Sequence, residues 1–258
     1  MSSQISGLGN VRQPSVLDLT YNPSGLWVFD GDLIDLSPTG EDLSVDNGTI
    51  QYSLSHEHGR QCVRLKDNQV RLRGSNPAPS ELVIDGDITV QIVFMMDTTV
   101  GTDSFGTHLI GCISPGGSGA EVNNDVWSLE LSDVSTAMTP KWSWEYGAGN
   151  RQTSQPTDFK FALGQWYHMV CVRESEGGGT SAARTYVNGQ LILETTGLTD
   201  ATGGGSSRIV IGRDENDAGQ GWLGGMLSSA KVVDRALTDR EIKYEWLRVS
   251  GEFLGDRL

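Results

Sequence analysis

The sequence predicts an all-β protein: a two-sheet antiparallel jelly-roll sandwich with one short C-terminal helix. Three observations lead there. Short apolar or alternating runs recur along most of the 258 residues, and glycine is abundant at 33 residues, as many tight joints between strands require. Asn188-Gly189 stands between two such runs, and a type I′ turn needs positive φ at both of those positions. Only the stretch after Leu237 combines helical spacing with a start signal.

Residues 1–24 are polar and rich in Gly, Pro and Ser without sustained period, so an extended arm is expected. The run LWVF (26–29) opens the strands, and a long loop with turn chemistry follows it. CVRL (62–65) and QVRLR (69–73) alternate in and out, and ITVQIVFMM (88–96) reads as a longer buried strand. THLIGCI (107–113), VWSLELS (126–132), KWSWEYG (141–147) and QWYHMVCVRE (165–174) continue the series. RTYVNGQLIL (184–193), RIVIG (208–212) and MLSSAKVV (226–233) complete it. Thr238 can cap a helix whose Glu241, three residues on, forms a capping box; Leu237, Ile242 and Trp246 give it an apolar side. With no long repeat and no second core, one domain over 25–250 is expected, followed by a tail at 251–258.

Trp142, Trp144 and Tyr146 sit at every second position, so a strand sends all three rings to one face. Such a row can be a platform for sugar rings or ordinary core. Trp127, Leu129 and Leu131 alternate in the neighbouring run with no polar residue on their face, so core is expected, with Lys141, Ser143 and Glu145 facing out.

The second half resembles the laminin-G-like, concanavalin A-like jelly-roll superfamily. The residues that carry the resemblance are Trp166 and His168; Tyr186, Asn188 and Gly189; Ile211 and Gly212; Gly225 and Leu227; and Ala236 to Ile242. In the first half, LWVFDGDLIDLSPTGEDL and ITVQIVFMMD are similar to the family's opening strands, so the resemblance covers roughly residues 25–248. It implies a fold rather than a task, since one jelly roll hosts many functions. Where the family usually has acidic residues after its G-x-I motif, this chain has Ser228 and Ser229, and the family's structural calcium site is not carried over.

A net charge of −14 disfavours nucleic acid, whose phosphates need Lys and Arg. No window approaches the roughly 20 apolar residues of a membrane helix. MSSQISGLGNVRQPS lacks a charged segment followed by an apolar one, so cytoplasmic synthesis is expected. Cys62, Cys112 and Cys171 cannot all pair and read as buried thiols.

Motifs for chemistry are sparse. The retaining glucanases of the resembled superfamily place paired carboxylates on one strand face, whereas Glu130 and Asp133 lie three apart, on opposite faces. No catalytic residue and no cofactor is assigned. Asp214 to Asp217 could hold calcium but fails the EF-hand pattern at Ala218. Asp214, Asn216 and Trp222 are the residues expected to meet a ligand. His56 and His58 share a strand face but lack an identified third metal ligand. Arg64 and Lys66, then Arg71 and Arg73, form a basic cluster in an acidic chain, a solvated face or a docking patch for an acidic subunit or anionic glycan.

The function expected from the sequence is a non-enzymatic binding or structural module. Its first setting is a virion surface, where the arm and the basic strands would contact other subunits and a host glycan could bind. The alternatives are a free-standing bacterial carbohydrate-binding protein, in the cytoplasm or at the cell surface, and a glycoside hydrolase or lyase.

Overall fold

The computed structural model describes residues 21–54, 61–65, 70–97, 107–113, 125–133, 138–146, 150–202, 207–212 and 223–254. Strands β1 (Gly25–Val28), β2 (Ser44–Asn47), β3 (Ile50–Leu54), β4 (Gln61–Leu65) and β5 (Arg71–Arg73) precede a turn of 3-10 helix at Ser80–Leu82. Then come β6 (Ile88–Met96), β7 (Thr107–Ile113), β8 (Asp125–Asp133), β9 (Met138–Glu145) and β10 (Arg151–Ser154). The series ends with β11 (Trp166–Gly177), β12 (Thr180–Val187), β13 (Gln190–Thr199), β14 (Arg208–Ile211), β15 (Gly225–Val233) and helix α1 (Asp239–Leu254).

The strands form two antiparallel sheets packed as a jelly-roll sandwich. The first has the order β13-β12-β11-β6-β15-β4-β3, with β1 also pairing with β15; the second has the order β10-β9-β8-β7-β14-β5-β2. Short polar strands β2, β3 and β10, at or beside sheet edges, are absent from the runs that the sequence marks as strands. Two expected boundaries also shift. Residues 21–24, assigned to the arm, already touch the body: Ser24 N–H donates to Val232 O at 2.9 Å, and the Tyr21 ring lies 4.9 Å from the Arg235 guanidinium carbon. The helix runs through Leu254, four residues into the expected tail. Residues 1–20 and 255–258 lie outside the described residues.

Alternation builds the core. Ile88, Val90, Ile92, Phe94 and Met96 of β6 face Trp127, Leu129 and Leu131 of β8 and Trp142 and Trp144 of β9 in one continuous cluster. Ring centroids stand 6.5 Å apart for Trp127–Trp142 and 6.2 Å for Trp142–Trp144. Each such indole hides about 200 Å² of surface, worth roughly 5 kcal/mol at ~25 cal/mol per Å² before the entropy of ordering is subtracted. The aromatic run is therefore core, as expected, for its two tryptophans. Tyr146 departs from them: it is half-buried and follows the last residue of β9.

Helix α1 covers the outer face of the first sheet over Val170, Val172, Tyr186 and Val233. The capping box forms as read: Thr238 N–H donates to Glu241 Oε2 at 2.8 Å and Glu241 N–H to Thr238 Oγ1 at 3.4 Å. The β12–β13 turn also forms as read, with φ of +51° at Asn188 and +70° at Gly189. A Cβ on Gly189 would lie 2.7 Å from Trp246, so the hairpin and the helix meet where only glycine fits. Beneath the helix, buried Glu245 accepts from Lys231 at 3.4 Å and from Arg248 at 3.1 Å. His168 stacks on Trp246 with ring centroids 6.2 Å apart, and its Nε2 lies 3.1 Å from Gln91 Oε1. Burial, then the charges of Arg248 and Lys231, push its pKa down to about 3. A polar cavity of about 20 Å³ beside these residues has room for a water, not for a sugar.

Candidate functional site

Helix α1 covers part of the outer face of the first sheet, over β11, β12 and β15, whereas the outer face of the second sheet gathers charged and hydroxyl side chains. Its register aligns one residue from each of the seven strands: Ser44, Arg73, Val210, Gly111, Ser128, Ser143 and Thr153. They face out because their neighbours Leu72, Ile209, Ile211, Trp127, Leu129, Trp142 and Trp144 face the core. A second row sets His108, Glu130 and Lys141 side by side on β7, β8 and β9. A third pairs Glu145 with Arg151.

Glu130 is the hub. Its side chain is fully buried. Lys141 Nζ lies 2.9 Å from Oε2, Ser128 Oγ donates to Oε1 at 2.5 Å, and Arg151 Nη2 donates to the same oxygen. His108 Nε2 stands 3.6 Å away. Burying a carboxylate without partners is prohibitive, so these cations are the condition for its being there. The same contacts limit its chemistry, because both oxygens are already engaged. Glu145 shares the face but sits four residues from Lys141, the strand partner of Glu130. At about 3.4 Å per residue the two backbones stand about 14 Å apart along the strands, and Arg151, opposite Glu145, reaches across that gap to Glu130. Ser143 Oγ, also fully buried, has no hydrogen-bond partner among the described residues.

The centre of this face is closed and its flanks are open. Ser128, Glu130 and Ser143 are buried, whereas Ser44 and Thr153 are exposed and Arg73, Arg208 and Arg151 half-buried. At the β5 flank, Arg71 Nε and Nη2 donate to Asp46 Oδ2 at 3.0 and 2.5 Å, and Arg73 donates to Oδ1. Burial alone would raise the Asp46 pKa, but hydrogen bonds and charge from the two arginines hold it below the ordinary value.

This geometry corrects the basic cluster read from sequence. Arg64 lies on β4 of the first sheet and pairs with Asp97, while Arg71 and Arg73 lie on β5 of the second. The two sets point away from the core in opposite directions and cannot form one patch. Arg71 is moreover only 4% exposed, not solvated. Alternation tells which side of its strand each arginine takes, but not to which sheet the strand belongs. Lys66, Asp214, Asn216 and Trp222 lie outside the described residues, as do His56 and His58. Among the described residues no group of three metal-ligating side chains occurs. Sequence reading passes over His108, Ser128, Lys141 and Arg151 as site residues; the signal is the polar half of the alternation in VWSLELS and KWSWE.

A laminin-G family model, described as concanavalin A-like lectin/glucanases superfamily, matches residues 70–243. The chain belongs to that superfamily. No curated protein matches it in sequence. Among solved structures it is similar to domain 4 of AbnA, a GH43 extracellular arabinanase from Geobacillus stearothermophilus, in complex with arabinotriose. The identity is 19% and the TM-score 0.62, over 86% of this chain and 97% of that domain. It is similar also to the binding domain of Paraclostridial Mosquitocidal Protein 1, at 16% identity and TM-score 0.65, over 88% of this chain and 52% of that one. The receptor-binding domain of botulinum neurotoxin type G matches at 12% identity and TM-score 0.62, over 88% and 51%. The chain thus spans about half of each toxin domain. At these identities the likeness is one of fold.

Proposed function

We propose that the chain is a non-enzymatic glycan-binding module whose ligand meets the outer face of the second sheet at its open flanks. One observation carries this reading. The open flanks present the Ser44 and Thr153 hydroxyls and the half-buried Arg73, Arg208 and Arg151 guanidiniums, while the central carboxylate, Glu130, is buried and clamped by cations. Such flanks can hydrogen-bond a sugar, and a carboxylate whose two oxygens are already engaged by Lys141, Ser128 and Arg151 is poorly suited to cleave one. A superfamily that includes lectins, and a neighbour solved with arabinotriose, support the same reading. The experiment is a glycan array followed by calorimetry, with arabinotriose among the probes and a reducing-end assay in parallel. At least one oligosaccharide should bind without being shortened, and Arg73→Ala with Arg208→Ala should weaken it tenfold or more. Absence of binding across the array, or turnover that disappears with Glu130→Gln, overturns the proposal.

The setting that fits this module is the surface of a virus-like particle. The support is the polar composition of residues 1–24 and a net charge of −14 on the chain. A chain lacking residues 1–20 should fold but fail to incorporate. Normal incorporation favours the free-standing carbohydrate-binding protein instead.

A further inference from the structure

The exposed crest of α1 has the wrong character for a solvated helix on this chain. Arg240, Lys243, Tyr244 and Leu247 follow one another at i, i+3, i+4 and i+7, so they share one face. Leu247 is 57% and Tyr244 47% exposed. Other charges of the helix are engaged: Asp239 with Arg184, Glu241 with Arg235, Glu245 with Lys231 and Arg248. Arg240 and Lys243 are not ion-paired among the described residues, and the crest between them carries no acid. Two such cations flanking an exposed Tyr and Leu make a docking surface for an acidic partner.

A complementary surface lies on the same molecule, at the far end of the first sheet. Asp85, Asp87, Glu174 and Glu176 are all exposed there, with Glu174 ion-paired to Arg184 at 2.6 Å. Asp87 accepts the Ser175 N–H at 2.8 Å, which ties the loop before β6 to the tip of the β11–β12 hairpin. Arg173, a cation beneath, is buried and donates from Nε and Nη2 to the carbonyls of Gly86 and Ile84. This acidic tip is at the opposite end of β12 from the Gly189 turn on which α1 rests.

We propose that α1 of one copy docks by its cationic, apolar crest on the acidic tip of the β11–β12 hairpin of a second copy. The two surfaces differ, so the contact is heterologous and leaves one of each free at every step; it builds a ring or a chain of copies, not a closed pair. Each body carries net charge −14, so bulk repulsion opposes the contact. Salt near 0.15 M screens that repulsion beyond ~8 Å while sparing pairs in contact, and higher salt weakens the contact itself. Association is therefore strongest at intermediate ionic strength.

Sedimentation velocity of the full chain tests this over a range of concentration and salt. Mass should grow past two copies near 0.15 M salt and fall back above roughly 0.5 M. Leu247→Asp should weaken association at least tenfold with an unchanged thermal midpoint, and Leu247→Asn serves as a second variant should the first fail to fold. A charge exchange gives the sharper result. Arg240→Glu with Lys243→Glu should be monomeric alone, as should Asp85→Lys with Glu174→Lys and Glu176→Lys, which leaves Asp87 as the tip's one acid. Mixing the two should restore assembly, because every crest then meets a tip of opposite sign. A wild-type chain that stays monomeric, a plateau at two copies, or a mixture that fails to reassociate overturns the proposal. So does a monomer that instead binds phosphatidylserine vesicles through the same crest.

Discussion

Acidification should destabilise the fold through His168 before any carboxylate takes part. The imidazole is 1% exposed and stays neutral down to about pH 3, whereas in the unfolded chain it titrates near its ordinary value. A folded pKa below the unfolded one means that the unfolded state takes up the proton first. Stability is therefore full above about pH 6.5 and falls as pH drops toward 3. Each pH unit well below 6.5 is worth about 1.36 kcal/mol, which integrates to about 2 kcal/mol between pH 7 and pH 5. With a urea m-value of ~2–3 kcal/mol/M, the midpoint should move by about 0.7–1 M. Asp46 and Glu241, the latter lowered to about 2 chiefly by its hydrogen bond to Arg235, shift stability in the same direction. Their unfolded values lie near 4, so they act below about pH 5 and leave the upper window to histidine. The assay is urea unfolding at pH 7, 6 and 5 for wild type and His168→Gln, whose difference cancels the other histidines. Parallel profiles for the two proteins, or an NMR titration of His168 near pH 6.5, would refute burial and cationic neighbours as the force that keeps this ring neutral.

Three further outcomes follow from the packing. Arg71→Glu should cost about 3–5 kcal/mol in chemical denaturation, because it sets a buried carboxylate against Asp46, whereas Arg64→Glu, at a side chain 36% exposed, should cost under about 1 kcal/mol. Thr238→Ala should remove about 1 kcal/mol by uncapping α1, read as a lower thermal midpoint with unchanged sheet signal. Gly189→Ala should cost more than about 1 kcal/mol, since positive φ and the Trp246 ring both oppose a methyl group there, and amide exchange should rise first in α1.

Long two-sided patterns are the most legible. ITVQIVFMM, KWSWE and the Asn188-Gly189 hairpin can be placed because apolar period and turn chemistry are local. Strands β2, β3 and β10 cannot, since SVDN, IQYSL and RQTS lie at or beside sheet edges and lack a long apolar run. The polar layer on the second sheet is hidden for a different reason. Ser143 and Glu145 alternate with tryptophans as a solvated face would, and only the third dimension buries them. Arg71 shows the same limit: its partner Asp46 is 25 residues away, on a strand that local pattern does not reveal.

The pairing of β1 with β15 sets the order in which this molecule can be finished. Gly25 faces Val232, so some 200 residues of chain must be in place before the first strand finds its neighbour. Closing a loop of that size costs about 5 kcal/mol in chain entropy, and at ~5–20 residues per second a ribosome takes ~10–40 s to deliver the partner. Central β6 waits as well, for β11 and β15. During synthesis the most apolar strand of the sandwich is thus exposed with nothing to pair with. A host that makes this protein in quantity must shelter that strand, and slower translation before β11 would lengthen the exposure rather than relieve it.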